Sequence, residues 1–141
     1  AFSYAEKRRH QLALEVMHWE VPIHPMTVGE FTAVALASGK DLWDESVAMR
    51  HCADLYAKPC QEGRALLFSV RTASGDRYAT IALEHKDGVW SLLQACGHAN
   101  ARVGSELDEL IEVLRGIVQA VRMMTLQGPL PSRATGFVQC V

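Results

Sequence analysis

Three short runs between residues 64 and 96 constrain the fold more than any other part of the sequence. Residues 64–72 and 77–85 alternate apolar and polar side chains, which predicts two β-strands. Asp87-Gly88 is a strong hairpin signal, and residues 89–96 are largely apolar on both sides, which predicts the most buried of the strands. Because the connections are short, we expect a three-stranded antiparallel meander.

Three helices are predicted before the meander. Residues 4–19 contain a broad apolar stripe at helical spacing. Thr27 and Glu30 match a capping box, so we expect a second helix that begins at Thr27 and ends at Gly39, a residue suited to a left-handed C-terminus. The third helix covers residues 41–58 and stops at the following proline.

The clearest helix follows the meander. Ser105 is its predicted N-cap, and residues 106–126 place apolar side chains in an almost unbroken stripe that should cover one face of the sheet. Residues 136–141 are β-prone, so they either add an edge strand or fray. The fold class is therefore α+β, with N-terminal helices, a three-stranded antiparallel meander and a long C-terminal helix packed on the sheet.

The composition is that of an ordinary globular domain, and 141 residues fit a single domain over residues 1–141. Since the chain lacks an initiator Met, we expect it to be a piece of a longer protein. No apolar run reaches the roughly 18 residues that a membrane helix needs. The four cysteines match no secreted disulfide framework, which predicts free thiols and a cytoplasmic location.

An ordered set of short motifs resembles the PcfJ-like domain, a family found on conjugative plasmids, phages and related mobile elements. The resemblance covers a core of about residues 47–100, and it implies an association with mobile DNA without supplying a mechanism. The motifs are His51-Cys52, Tyr56, Phe68-Ser69-Val70-Arg71, Ala79-Thr80-Ile81-Ala82-Leu83-Glu84, Gln94, Gly97 and Asn100.

The polar residues of these motifs define a candidate binding site. If the polar face of the strands meets the third helix, its side chains converge with those of the His51-Cys52 pair. Such groups must hydrogen-bond to each other or to a ligand, because each unpaired one costs about 1–3 kcal/mol. We therefore expect an accessory binding or adaptor domain. The expected binding residues are His51, Tyr56, Ser69, Arg71, Thr80, Glu84 and Gln94.

The alternative is a thiol enzyme. Cys52 would be the nucleophile, His98 or His51 the base, and Asn100 or Gln94 the group that orients it. Structural roles compete with both hypotheses. Cys52 also suits an inert core position, and Arg71 with Glu84 suits a cross-strand ion pair.

No metal site or cofactor is expected, because the His and Cys residues form no Cys-x-x-Cys pair and the sequence lacks phosphate-binding and dinucleotide motifs. The expected partners are a protein of a mobile-element system or a small ligand. Direct nucleic-acid binding has little support, since the net charge is −2 and no groove-reading motif is present. A homodimer through the C-terminal helix or an edge strand stays open.

Overall fold

A computed structural model describes residues 3–126, with side chains described through residue 122. The predicted β-prone segment 136–141 lies outside the described residues. The centre of the fold is one antiparallel sheet of five strands, which are hydrogen-bonded in the order β1 to β5. The strands are β1 (Met26–Val28), β2 (Phe31–Ala35), β3 (Ala65–Arg71), β4 (Arg77–Lys86) and β5 (Val89–Cys96).

The last three strands match the predicted meander, but the prediction of only three strands is wrong. Residues 27–39, predicted as a helix, instead contribute most of a hairpin formed by β1 and β2. Gly29 has a φ of 63°, which suits a tight turn, and the Thr27 and Thr32 hydroxyls lie 2.8 Å apart across the pair. The β-branched residues of this segment favour strands, and the apparent capping box does not overcome that preference.

One helix precedes the strands, two helices lie between β2 and β3, and one follows β5. They are α1 (Tyr4–Leu14), α2 (Gly39–Met49), α3 (Ala57–Gln61) and α4 (Asp108–Leu126), with a 3₁₀ turn at Ala53–Tyr56 between α2 and α3. The predicted third helix over residues 41–58 is thus divided. Arg50 adopts a left-handed conformation with φ 55°, which ends α2 after Met49. None of the helices in residues 3–126 is long and apolar enough to cross a membrane.

Gly39 begins a helix instead of ending one, which corrects the prediction for this residue. The Ser38 hydroxyl caps α2 by accepting a hydrogen bond from the Asp41 amide at 3.1 Å. A Cβ placed on Gly39 would lie 2.1 Å from the carbonyl oxygen of Leu14 at the end of α1. Glycine is therefore required here by the close approach of α1 to α2, not by a left-handed backbone.

The two faces of the sheet have different coverings. On one, called the α4 face, the buried stripe of α4 packs against apolar side chains of the strands, as the sequence predicts. Its members are Phe31, Phe68, Ile81, Leu83, Trp90, Leu107, Leu110, Leu114 and Val118. The other, called the cleft face, is covered by α1, α2 and α3. Its buried residues include Leu14, Leu42, Ala57, Leu67 and Ala82.

Strand β5 is an edge strand and is mostly exposed, so the prediction that it is the most buried strand is wrong. Only Trp90 and Cys96 of its residues are buried. Its start is protected by α4, because the Trp90 amide donates to Gln119 Oε1 at 2.8 Å and Arg115 donates to the Trp90 carbonyl at 3.4 Å. Such side-chain caps protect an edge that would otherwise offer free backbone groups to another strand.

Candidate functional site

A cleft of about 270 Å³ opens on the cleft face, where the segment after α2 crosses strands β3 to β5. Its floor is apolar and its walls are polar. Six of the ten residues predicted for the site contribute to the lining, namely His51, Cys52, Tyr56, Thr80, Gln94 and Asn100. The other lining residues are Ala53, Leu67, Ala82 and Cys96.

The end of α2 determines how the His51-Cys52 pair faces the cleft. On a continuous helix these neighbours would diverge by about 100° around the axis. The left-handed Arg50 instead takes the chain out of the helix, and Cys52 immediately precedes the 3₁₀ turn Ala53–Tyr56. Both side chains therefore line the same cleft. Cys52 is exposed, which makes its thiol accessible to a ligand.

His51 is fixed in the cleft wall by hydrogen bonds to both ring nitrogens. Its Nε2 lies 2.8 Å from Thr80 Oγ1, and its Nδ1 accepts from the Ala53 amide at 3.3 Å. Because the Thr80 hydroxyl gives its only proton to Glu45, the Nε2 of His51 must be the donor in their contact. The ring is therefore neutral. Burial lowers the pKa of His51, although the Glu45 carboxylate opposes the shift.

Glu45 is a component of this wall that the sequence analysis missed. Its side chain is fully buried, accepts the Thr80 hydroxyl at 2.5 Å, and meets Arg77 Nε at 2.9 Å. It lies on the buried stripe of α2 between Leu42 and Met49. A charged residue within an otherwise apolar helical stripe was the available sequence signal, because buried carboxylates require partners.

The opposite wall comes from β5 and the loop after it. Gln94 Nε2 donates to Cys96 Sγ at 3.7 Å, and the Cys96 thiol donates to Asn100 Oδ1 at 3.7 Å. The loop returns to the strand because the Gly97 amide donates to the Ala101 carbonyl at 2.7 Å. Burial raises the pKa of the Cys96 thiol, so this group stays protonated and acts as a weak hydrogen-bond donor.

Several polar groups of the cleft have unused hydrogen-bonding capacity. Within the described part of the chain, the Tyr56 hydroxyl and the Cys52 thiol make no hydrogen bond. The same holds for the side-chain carbonyl oxygen of Gln94 and the side-chain amide nitrogen of Asn100. Burial raises the pKa of Tyr56, with smaller electrostatic contributions from Cys96, Cys52 and Glu84. The phenol is therefore a neutral donor at physiological pH.

Three predicted binding residues lie outside the cleft lining. Ser69 is buried and its hydroxyl accepts from Arg71 Nε at 2.7 Å. Glu84 is close enough to influence Tyr56 but does not line the cleft. The possible ion pair between Arg71 and Glu84 is wrong, because Arg71 pairs with Arg77 and Glu84 with Ala65, at opposite ends of the two strands.

His98, the predicted base, and Cys60 are also separate from the cleft. His98 is exposed on the loop after β5 and is not a lining residue. Cys60 is a buried residue of α3, and burial raises its pKa to about 12. Cys52, Cys60 and Cys96 are free thiols. In residues 3–126 no group of three or more His, Cys, Asp or Glu side chains is arranged to hold a metal ion.

A comparison with protein families agrees with the motif resemblance. The family model described as PcfJ-like protein matches residues 3–111, from α1 into the first turn of α4. The suspected family is thus confirmed, and the match extends well beyond the core of residues 47–100 that the motifs indicated. No curated protein and no solved structure matches the chain.

Proposed function

Since this chain belongs to the PcfJ-like protein family, we propose that it is a binding module of a mobile genetic element, with its ligand held in the cleft beside His51 and Cys52. The mobile-element setting comes from the resemblance to proteins of plasmids and phages. The free thiols of the described residues favour the cytoplasm as its location. The bound species is a small molecule or a side chain of a partner protein.

The unused polar groups of the cleft are the observation on which this proposal rests. Tyr56, Gln94, Asn100 and Cys52 surround one opening, and each has a polar atom without a protein partner in the described residues. Binding sites typically combine an apolar surface with a few convergent polar groups. The apolar floor that includes Leu67 and the polar walls of this cleft fit that description.

The Glu45 network supports the same function by making one wall rigid. Glu45 joins Arg77 and Thr80, and Thr80 in turn contacts His51. A wall fixed before binding loses little conformational entropy when a ligand enters. The network therefore preorganises the wall of the cleft that contains His51 and Thr80.

The geometry favours binding over thiol catalysis. A thiol nucleophile needs a base or another feature that promotes its ionisation. Both ring nitrogens of His51 are already engaged, and His98 does not line the cleft. Alkylation of Cys52 by iodoacetamide provides the test of the alternative. Rapid reaction near pH 6 that slows in His98→Ala would favour the enzyme.

The binding function is tested by titrating a mixed fragment library into the protein and measuring the changes in its backbone amide NMR shifts. Cys52→Trp fills the mouth of the cleft from an exposed position, and Leu55→Trp is the matched control on the exposed side of the same 3₁₀ turn. We expect fragments to shift cleft signals in the wild type and in Leu55→Trp but not in Cys52→Trp. Shifts that avoid the cleft, or that persist in Cys52→Trp, would contradict the proposed site.

A further inference from the structure

We propose that the cleft selects an electrically neutral ligand carrying a carboxamide group. This inference rests on the binding function proposed above. Among the described residues, the lining contains no Lys, Arg, Asp or Glu, and its one imidazole, that of His51, is held neutral by its two hydrogen bonds. A charged ligand would lose hydration on entering without gaining a counter-charge in the lining. Neutral ligands avoid that cost.

The carboxylates of Glu45 and Glu84 do not change this preference. Glu45 lies behind the wall, fully buried and paired with Arg77. Glu84 flanks Tyr56 without lining the cleft, so its carboxylate disfavours anions but offers no direct contact to a cation. The lining itself therefore determines the charge of the ligand.

The unused polar atoms match the two ends of an amide. Gln94 directs its amide nitrogen to Cys96, so its carbonyl oxygen remains as an acceptor. Asn100 accepts the Cys96 thiol through its oxygen, so its amide nitrogen remains as a donor, and the Tyr56 hydroxyl is a second donor. A carboxamide presents an N–H donor and a carbonyl acceptor side by side. The N–H of such a group would donate to Gln94, and its carbonyl oxygen would accept from Asn100 or Tyr56.

The floor indicates what the amide is attached to. Ala53, Leu67 and Ala82 form an apolar surface between the polar walls. The apolar body of a ligand would cover this surface and gain about 25 cal/mol for each Å² removed from water. An amide on a compact apolar ring therefore fits the chemistry of both the floor and the walls.

Three nearly isosteric probes separate charge from shape. Benzamide, benzoate and benzamidine have the same ring and differ in carrying a neutral, anionic or cationic head group. Each is titrated into the full chain, with cleft amide signals followed by NMR. We expect benzamide to bind at the cleft about tenfold more tightly than either charged probe. The charged head groups lose hydration on entering and find no counter-charge in the lining.

Gln94→Leu tests the amide pairing without burying a new group, because Gln94 is exposed. It should weaken benzamide about tenfold, as expected for one lost hydrogen bond. Gln61→Leu, at an exposed position on α3 outside the lining, is the control and should leave affinity unchanged. An unchanged benzamide affinity in Gln94→Leu would overturn the amide assignment.

The outcomes also distinguish this inference from the binding function. If benzoate or benzamidine occupies the cleft as tightly as benzamide, the cleft binds ligands but does not select neutral amides. If none of the three probes shifts the cleft signals, neutral amides are not its ligands. In that case the mixed fragment library still reports separately whether the cleft binds anything.

Discussion

The carboxylate of Glu45 and the guanidinium of Arg77 lie 2.9 Å apart at the junction of α2 and the first residue of β4. Glu45 is fully buried, whereas Arg77 keeps 32% of its side chain exposed. This pair connects the helix before the cleft to the strand that contributes Thr80. Because a buried carboxylate without a partner is costly, the contact matters for stability as well as for the shape of the cleft.

Arg77→Leu should destabilise the fold strongly, because it leaves the buried Glu45 carboxylate without its cation. We expect a loss of about 3 kcal/mol in the free energy of unfolding, at the low end for buried pairs since Arg77 is partly exposed. Arg64→Leu is the matched control, because Arg64 pairs with Glu62 on the surface, and it should cost less than about 1 kcal/mol. Urea unfolding measures both. Equal losses in the two variants would contradict a special role for the buried pair.

Gly39→Ala and Gly116→Ala should change stability in opposite directions. A methyl group at Gly39 would lie 2.1 Å from the Leu14 carbonyl oxygen, whereas at Gly116 it would meet nothing within 4 Å. We expect Gly39→Ala to cost about 1–3 kcal/mol through overpacking. Gly116→Ala should gain about 0.5–1 kcal/mol, since alanine is the better residue in a helix. Thermal unfolding of both variants tests the close approach of α1 to α2, and a stabilised Gly39→Ala would disprove it.

Stability should begin to fall as the pH drops below about 7.5, above the range where most carboxylates titrate. Burial lowers the pKa of His51 and of His85 below the ordinary 6.5. The unfolded chain therefore binds protons first as the pH falls. The loss begins near the unfolded pKa and is complete below the folded one. Denaturant titrations at several pH values measure this slope.

His51→Gln isolates the contribution of His51 to that slope. Glutamine can still donate a hydrogen bond to Thr80 but does not take up a proton. We expect a shallower loss of stability on acidification, with the remainder due to His85. A comparison at about pH 7.5, where both histidines are neutral, first gives the cost of the substitution itself. Identical slopes for the two proteins would show that His51 does not contribute.

The thiols should differ widely in their reactivity with iodoacetamide. Cys52 is exposed, whereas Cys60 is buried with its pKa raised to about 12. We expect Cys60 to react at least about 100-fold more slowly than Cys52 in the folded protein, because thiolate is the reactive form. A Cys140→Ser background and peptide mass spectrometry assign the sites. Both thiols should react at similar rates in denaturant, and a Cys60 that reacts as fast as Cys52 in the folded chain would contradict its burial.

The sequence predicted the elements in which the spacing of apolar residues repeats over several periods. Helix α4 and strands β3 and β4 repeat their apolar positions over several periods, and all three are found in the structure. Strands β1 and β2 span only three and five residues, too few for a reliable period. Gly39 was placed at a helix end because the same residue type serves a left-handed turn and a close approach, and only tertiary packing separates the two.

The candidate site shows a similar division. Strand alternation placed Thr80 and Ser69 on the same side of the sheet, and they are paired across β3 and β4. Alternation does not say how far along the strand a covering segment crosses. Thr80 therefore lines the cleft, while Ser69 is buried next to Arg71. The role of Glu45 was hidden because its partners are 32 and 35 residues away in the chain.

The order of the strands also has a consequence for how the protein folds. Each strand pairs with its neighbour in the chain, and three of the four pairings close through short turns. Only the pairing of β2 with β3 must bring together segments separated by residues 36–64, which include α2, α3 and the residues around Cys52. Closing that long loop costs the most chain entropy, so we expect it to limit the folding rate. The cleft is built from that loop together with the later strands, so it forms only when this late step is complete.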